Sequence, residues 1–162
     1  MIVGDGALRA SVVAEIARRG LEERVRLTSP VTDDMSDVYR RASLFCMSSR
    51  WEGFPNALAE AMAHGLPCAG YRGCAGVRDL ITHGENGLLA RGNGDIRSLC
   101  NALGRLMADD TQRKWMGEAA AKSVRPFHPE LIFSRWECLL SAVETSRRGM
   151  LATIFGFTGN GR

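Results

Sequence analysis

The sequence lacks the features of several protein classes. No stretch of its 162 residues approaches the roughly 20 consecutive apolar residues of a membrane helix. With 45% hydrophobic residues, it is too apolar for a disordered chain. The first residues show no basic segment followed by an apolar one, so a signal peptide is not expected. These absences predict a soluble, cytoplasmic protein.

Lysine is almost absent, because only Lys114 and Lys122 stand among the 21 basic residues. The others are arginines, whose guanidinium binds phosphate or carboxylate through two hydrogen bonds. Anionic ligands are one interpretation of this bias, and solvated arginines on helix faces are the other. The net charge of +3, with both signs mixed along the chain, does not indicate nucleic-acid binding.

Patterns typical of metal sites are missing as well. The five cysteines form no Cys-x-x-Cys pair, which favours buried, reduced thiols. His64, His83 and His128 have no ligand-like spacing, so surface or partly buried histidines are expected. Asp33 and Asp34 suit a helix N-cap better than a catalytic pair. The residues themselves therefore predict no metal site.

Short β-type runs alternate with longer helical patterns along most of the chain. Strands are predicted at 2–3, 25–28, 43–47, 68–71 and 88–90. Helices are predicted at about 7–19, 34–41, 56–64, 76–81, 95–108, 110–124 and 129–147. The run at 43–47 is typical of a parallel strand buried on both faces, and Trp115 and Trp136 are expected to pack the C-terminal helices. The alternation predicts an α/β fold, a Rossmann-like parallel sheet with flanking helices, in a domain over 1–148 with a loosely ordered tail over 149–162.

Two glycine-containing loops follow predicted strands, where an open parallel sheet binds its ligands. The first, Gly4-Asp5-Gly6, lacks the third glycine of the dinucleotide-binding fingerprint and does not indicate that site. The second, Gly73-Cys74-Ala75-Gly76, either lets a ligand approach the backbone or forms a plain turn.

The stretch from Ser48 into the helix after Asn56 carries the most informative pattern. Asn56 is a suitable N-cap, and the alanine-rich sequence after it favours a helix. Glu52 precedes this helix and Glu60 lies one turn inside it, so two carboxylates flank an N-terminus that attracts phosphate. A ligand with both sugar hydroxyls and phosphates would satisfy the arrangement. Alternatively, Glu52 stabilises the helix electrostatically and Glu60 is solvated, and the residues alone leave both interpretations open.

Glu52 and Glu60 lie within the pattern Ser-x-x-Glu-Gly-Phe-Pro-Asn-x-x-x-Glu-Ala-Met-Ala-x-Gly-x-Pro. This pattern resembles the donor-binding, C-terminal half of the retaining glycosyltransferases with the GT-B fold, family 4 or group 1. The likeness runs from Val3 to near Trp136. It implies transfer of a sugar from a nucleotide diphosphate sugar to an acceptor hydroxyl, as in polysaccharide biosynthesis. It also implies no metal or other cofactor, with which the absence of Asp-x-Asp agrees.

The resemblance implies a role for each matching residue. Glu60 would accept hydrogen bonds from the ribose hydroxyls, and Glu52, the catalytic carboxylate, would contact the donor sugar near the reacting carbon. Val31 would border the base. Backbone N–H groups that meet the sugar hydroxyls and the diphosphate would lie around Gly53, Phe54, Asn56 and Ala57.

The family also has parts that this chain does not contain. An acceptor-binding domain precedes the donor domain, whose opening strand–helix unit carries a diphosphate clamp that neither Arg9 nor Arg50 matches. Without the strand beside Ile2–Val3, we expect a marginally stable or aggregation-prone chain unless another chain fills the gap. The alternative to a transferase is a nucleotide-sugar-binding module or a gene fragment. A partner chain would then supply the acceptor domain and any peripheral membrane contact.

Overall fold

In the computed structural model, residues 1–29 and 35–155 are described, and the chain divides into two compact units, Met1–Ala42 and Ser43–Arg162. The first unit pairs two short parallel strands, with Ile2 opposite Leu27. Its elements are β1 (Ile2–Val3), α1 (Arg9–Arg18), β2 (Leu27–Thr28) and α2 (Ser36–Arg40). Strand β2 is two residues shorter than predicted, and the predicted caps Asp33 and Asp34 lie outside the described residues.

The second unit contains a three-stranded parallel sheet in the order β3-β4-β5. Its strands are β3 (Phe45–Met47), β4 (Cys68–Tyr71) and β5 (Gly87–Ala90). Its helices are α3 (Asn56–Ala63), α4 (Ala75–Leu80), α5 (Ile96–Ala108), α6 (Asp110–Ser123) and α7 (Pro129–Phe155), with a 3-10 turn at Arg125–Phe127. The predicted alternation of strands and helices, and the parallel pairing, are confirmed.

Helices α1 and α3 each end at a glycine. After α1, Gly20 takes a φ of +61°, and after α3, Gly65 takes a φ of +74°. In each case the glycine N–H bonds to the carbonyl three residues back, and the next residue's N–H bonds to the carbonyl five residues back. This pattern satisfies the last carbonyls of the helix, and the left-handed backbone it needs is open to glycine without strain.

The core of the second unit forms where α3 and its neighbours cover the sheet. Leu58, Ala61 and Met62 of α3 are fully buried, as their helical spacing predicts. All residues of β4 and β5 are buried too. Strand β3 differs from the prediction of burial on both faces, because Phe45 and Met47 are only half-buried. The reason is its position at the end of the sheet, where it pairs with β4 alone among the described residues.

Asn86 is the buried polar side chain of the described core, and it is fully hydrogen-bonded. Its Oδ1 accepts from the Thr82 N–H at 2.8 Å, and its Nδ2 donates to the Leu80 carbonyl at 3.1 Å and to the Ser123 hydroxyl at 3.0 Å. One side chain thus fixes the turn before β5 and ties it to the end of α6.

Several other expectations need correction. Trp115 and Trp136 are more than half exposed, so they do not pack the C-terminal helices as predicted. Only Cys68 and Cys74 are the buried thiols that the composition favours, whereas the cysteines at 46, 100 and 138 are exposed. Helix α7 continues to Phe155, past the predicted end at 147, because the single glycine there, Gly149, costs a helix only about 1 kcal/mol. The loosely ordered tail stays a prediction, since residues 156–162 lie outside the described range.

Candidate functional site

The carboxyl end of β3 leads into the candidate site. Residues 48–55, named here the site loop, connect β3 to α3. Glu52 lies in this loop and is half-buried, and Glu60 is exposed one turn into α3. Both carboxylates therefore belong to one loop–helix segment of the second unit.

Helix α4 holds the site loop by a close backbone approach. The Gly76 N–H donates to the Glu52 carbonyl at 3.2 Å. A Cβ at Gly76 would lie 2.2 Å from the Gly53 carbonyl oxygen, a distance that no side chain tolerates. The sequence left the role of the glycine loop at 73–76 open. In the structure it is more than a plain turn, because its last glycine has no side chain where the backbone of the site loop passes.

The loop after β5 supplies a second support. Asn93 Nδ2 donates to the Arg50 carbonyl at 2.8 Å. The Arg50 guanidinium lies over Gly94, where a Cβ would be 2.8 Å from Nε. These contacts join residues more than 40 positions apart, so the sequence does not predict that Asn93 supports the site loop. The glycines at 73 and 76 were a weak indication that the start of α4 approaches another segment closely.

The start of α3 differs from the prediction in one respect. Asn56 is the first residue of the helix rather than its N-cap, and Pro55 takes the cap position with an extended backbone. No side chain forms a capping hydrogen bond there, and the Pro55 carbonyl accepts from Leu58 and Ala59 at 3.0 and 3.1 Å. Proline fits the cap position because its fixed φ matches the −79° found there.

Aromatic surface adjoins the two carboxylates. Trp51, directly before Glu52, is 86% exposed. Phe54 is 47% exposed, and its ring lies 5.2 Å from that of Phe127 in a tilted arrangement. Exposed rings of this size beside polar groups suit ligands that have both apolar faces and hydroxyls.

The structure does not assemble every residue of the predicted site. Val31 lies outside the described residues, so its place beside a base stays a prediction. Glu52 and Glu60 line neither the depression beside β5 and α5 nor the one beside α1. Within the same residues, no group of three His, Cys, Asp or Glu side chains could hold a metal ion, and the absence of a cofactor stays a prediction.

Comparison with known proteins decides the family. The sequence model described as glycosyl transferases group 1 matches residues 1–109. This chain belongs to that family. The identification agrees with the resemblance seen in the sequence, and the fold is that of one half of a GT-B glycosyltransferase. Among the described residues of this group 1 member, no helix is both long and apolar enough to cross a bilayer.

Two curated relatives of this group 1 chain are bacterial. One is an exopolysaccharide phosphotransferase of Streptomyces coelicolor, 35% identical over 147 residues, which are 90% of this chain and 15% of the relative. The other is the amylovoran biosynthesis glycosyltransferase AmsD of Erwinia amylovora, 31% identical over 144 residues, which are 87% of this chain and 39% of the relative. The chain therefore spans well under half the length of these relatives.

A solved structure supports the fold of the described residues. It is that of Anabaena Alr3699/HepE in complex with UDP and glucose, which aligns with a TM-score of 0.76 at 26% identity. The alignment covers 86% of this chain and 39% of that one. This group 1 chain is thus similar to one part of a larger glycosyltransferase fold.

Proposed function

We propose that this chain binds the nucleotide diphosphate sugar from which a retaining glycosyltransferase transfers the sugar to an acceptor hydroxyl. The observation that carries the proposal is the position of two carboxylates around the start of α3, with Glu52 before it and Glu60 one turn after it. Helix N–H groups attract phosphate, and carboxylates accept hydrogen bonds from hydroxyls. A nucleotide diphosphate sugar carries phosphate and hydroxyl groups, with hydroxyls on both sides of its diphosphate.

Each residue of the site has a part in this proposal. Glu60 accepts hydrogen bonds from the ribose hydroxyls, and Glu52 lies near the reacting carbon of the sugar. The N–H groups around Gly53, Phe54, Asn56 and Ala57 meet the sugar hydroxyls and the diphosphate. The Gly76 N–H holds the Glu52 carbonyl directly before these groups. Donors that are in place before the ligand arrives stabilise a departing diphosphate without reorganising.

The wider context supports a donor-binding part. The Anabaena relative was solved with UDP and glucose, the two halves of such a donor. This chain spans 15% and 39% of the two curated relatives. Under this proposal, the acceptor-binding part belongs to the remainder of a longer protein or to a second chain. We therefore expect donor binding from the chain by itself, and no transfer to an acceptor.

Calorimetric titration of the 162-residue chain with UDP, ADP, GDP and their glucose conjugates tests donor binding. Glu60→Ala removes a charged acceptor, whose loss costs about 1.5–3 kcal/mol, or roughly tenfold to hundredfold in affinity. Glu118→Ala is the matched control, because Glu118 is also an exposed glutamate on a helix, but outside the site. Equal affinities of the wild type and the Glu60→Ala variant would refute the ribose assignment, and no binding by any nucleotide would refute the donor site as a whole.

A further inference from the structure

An open depression of about 540 Å³ lies beside strand β5 and helix α5. We call it the arginine pocket, and its polar lining consists of Arg72, His83, Arg91, Ser98, Asn101 and Arg105. Its volume falls in the range of small-molecule sites, roughly 300–1,000 Å³. No residue of the site loop and no residue assigned to the donor lines it, so it is a separate feature of the second unit.

The charge of the arginine pocket has one sign. Arg72, Arg91 and Arg105 line it, and no aspartate or glutamate does. Within residues 1–29 and 35–155, none of these three guanidinium groups takes part in a salt bridge. Three cations at one depression repel one another, so an anion bound among them relieves that repulsion and gains charge-assisted hydrogen bonds.

His83 contributes a neutral donor to the same depression. Its Nδ1 accepts a hydrogen bond from the Leu89 N–H at 2.8 Å, so the ring proton sits on Nε2. Desolvation lowers the pKa of His83, and the positive charges of Arg72 and Arg105 lower it further. The imidazole therefore offers an N–H without adding a fourth charge.

The wall of the pocket is fixed before any ligand binds. The Ser98 Oγ accepts from the Arg91 N–H at 2.7 Å, which joins the loop after β5 to the first turn of α5. The Ser98 N–H in turn donates to Asp95 at 3.0 Å. These bonds hold the backbone on the two sides of the depression together, and the exposed side chains of the three arginines become ordered when the ligand binds.

We propose that the arginine pocket binds a phosphate-bearing small molecule of the sugar phosphate class. The guanidinium groups of Arg72, Arg91 and Arg105 hold the phosphate, because they match its geometry with two parallel hydrogen bonds. The Asn101 amide, which can both donate and accept, recognises the hydroxyls. The proposal does not depend on donor binding, since the two sites share no residue.

Titration of the 162-residue chain with glucose 1-phosphate, inorganic phosphate and glucose tests this site. Chemical shifts of backbone amides report the place of binding, and those of Leu89 and Ser98 should move with glucose 1-phosphate. Arg105→Gln should weaken its binding at least tenfold. The control is Arg97→Gln, which removes an exposed arginine from the same helix outside the pocket and should change affinity less than twofold.

The three ligands separate the sources of affinity. Tighter binding of glucose 1-phosphate than of inorganic phosphate, with no binding of glucose, supports the sugar phosphate class. Equal binding of the two phosphates would overturn the hydroxyl part of the proposal. The whole proposal fails if Arg97→Gln and Arg105→Gln weaken binding equally, because net charge alone would then explain it. It also fails if glucose 1-phosphate shifts only the amides around Glu52 and Glu60, or none at all.

Discussion

Replacing Gly76 by alanine should displace the site loop. The new Cβ would lie 2.2 Å from the Gly53 carbonyl oxygen and 2.9 Å from that of Glu52. Both are backbone atoms, which cannot move aside as the end of a side chain can. Overpacking of this kind costs about 1–3 kcal/mol, and loss of the Gly76 hydrogen bond to Glu52 adds roughly 1 kcal/mol. Alanine's advantage over glycine in a helix, about 0.5–1 kcal/mol, is smaller. We expect a net loss of about 2 kcal/mol of unfolding free energy.

Gly104→Ala is the matched control. Gly104 is also a helical glycine, in α5, but a Cβ there would meet no atom within 4 Å. The substitution should therefore raise the unfolding free energy by about 0.5–1 kcal/mol through helix propensity alone. Both variants replace a helical glycine by alanine. If their changes in unfolding free energy have opposite signs, the difference is due to the close approach of α4 to the site loop.

Urea unfolding of both variants, followed by circular dichroism at 222 nm, measures the difference. UDP affinity should fall in Gly76→Ala and stay unchanged in Gly104→Ala. If alanine at position 76 stabilises the chain as much as alanine at position 104, the folded protein does not have the close backbone contact between α4 and the site loop.

Three further predictions concern the scaffold and its charges. Asn86→Ala should lower the unfolding free energy by about 2–4 kcal/mol in urea titrations, because buried groups lose their hydrogen-bond partner. Asp95→Ala should cost about 1 kcal/mol and lower Tm, because Asp95 caps α5 through the Ser98 N–H. Hydrogen bonds from the arginines at 18 and 19 lower the pKa of Glu15 to about 2 from its ordinary 4.5. Its contribution to stability is thus complete above pH 4.5 and lost as the pH falls toward 2, a loss that Glu15→Gln should remove from the pH profile of unfolding.

Each of these predictions has a control. Asn101→Ala, on the exposed face of α5, should change stability by no more than about 0.5 kcal/mol, and an equal effect at both asparagines would contradict the role of Asn86. Asp95→Asn keeps a capping oxygen and should retain most of the stability, so a loss as large as that of alanine would argue against the cap. For Glu15, high salt should shrink the pH effect, because the ion pairs are exposed.

The sequence predicts features correctly where they depend on residues close together in the chain. Gly20 ends α1 because a left-handed residue is needed within a few positions of the last turn. The apolar spacing in α3 predicted its buried face for a similar reason. The error at Asn56 is also local, since asparagine and proline compete for the cap position, and Pro55 occupies it.

Predictions of burial and of contacts between loops were wrong, or could not be made, where segments distant in the sequence meet. The burial of β3 depends on its place in the sheet, and the exposure of Trp115 and Trp136 depends on what packs against their helices. The support of the site loop by Asn93 could not be predicted from the sequence, because hydrogen bonds between loops follow from strand order rather than from spacing.

By itself, then, the sequence determined the alternation of strands and helices, the family, and the pair of carboxylates around the start of α3. Periodicity, capping and motif spacing act over a few residues, so they can be recognised without coordinates. Only the tertiary structure decided which backbone groups hold the site loop. It alone gathered Arg72, Arg91 and Arg105 around one depression, because parallel pairing of β4 with β5 brings together residues that the chain keeps about 15 to 30 positions apart.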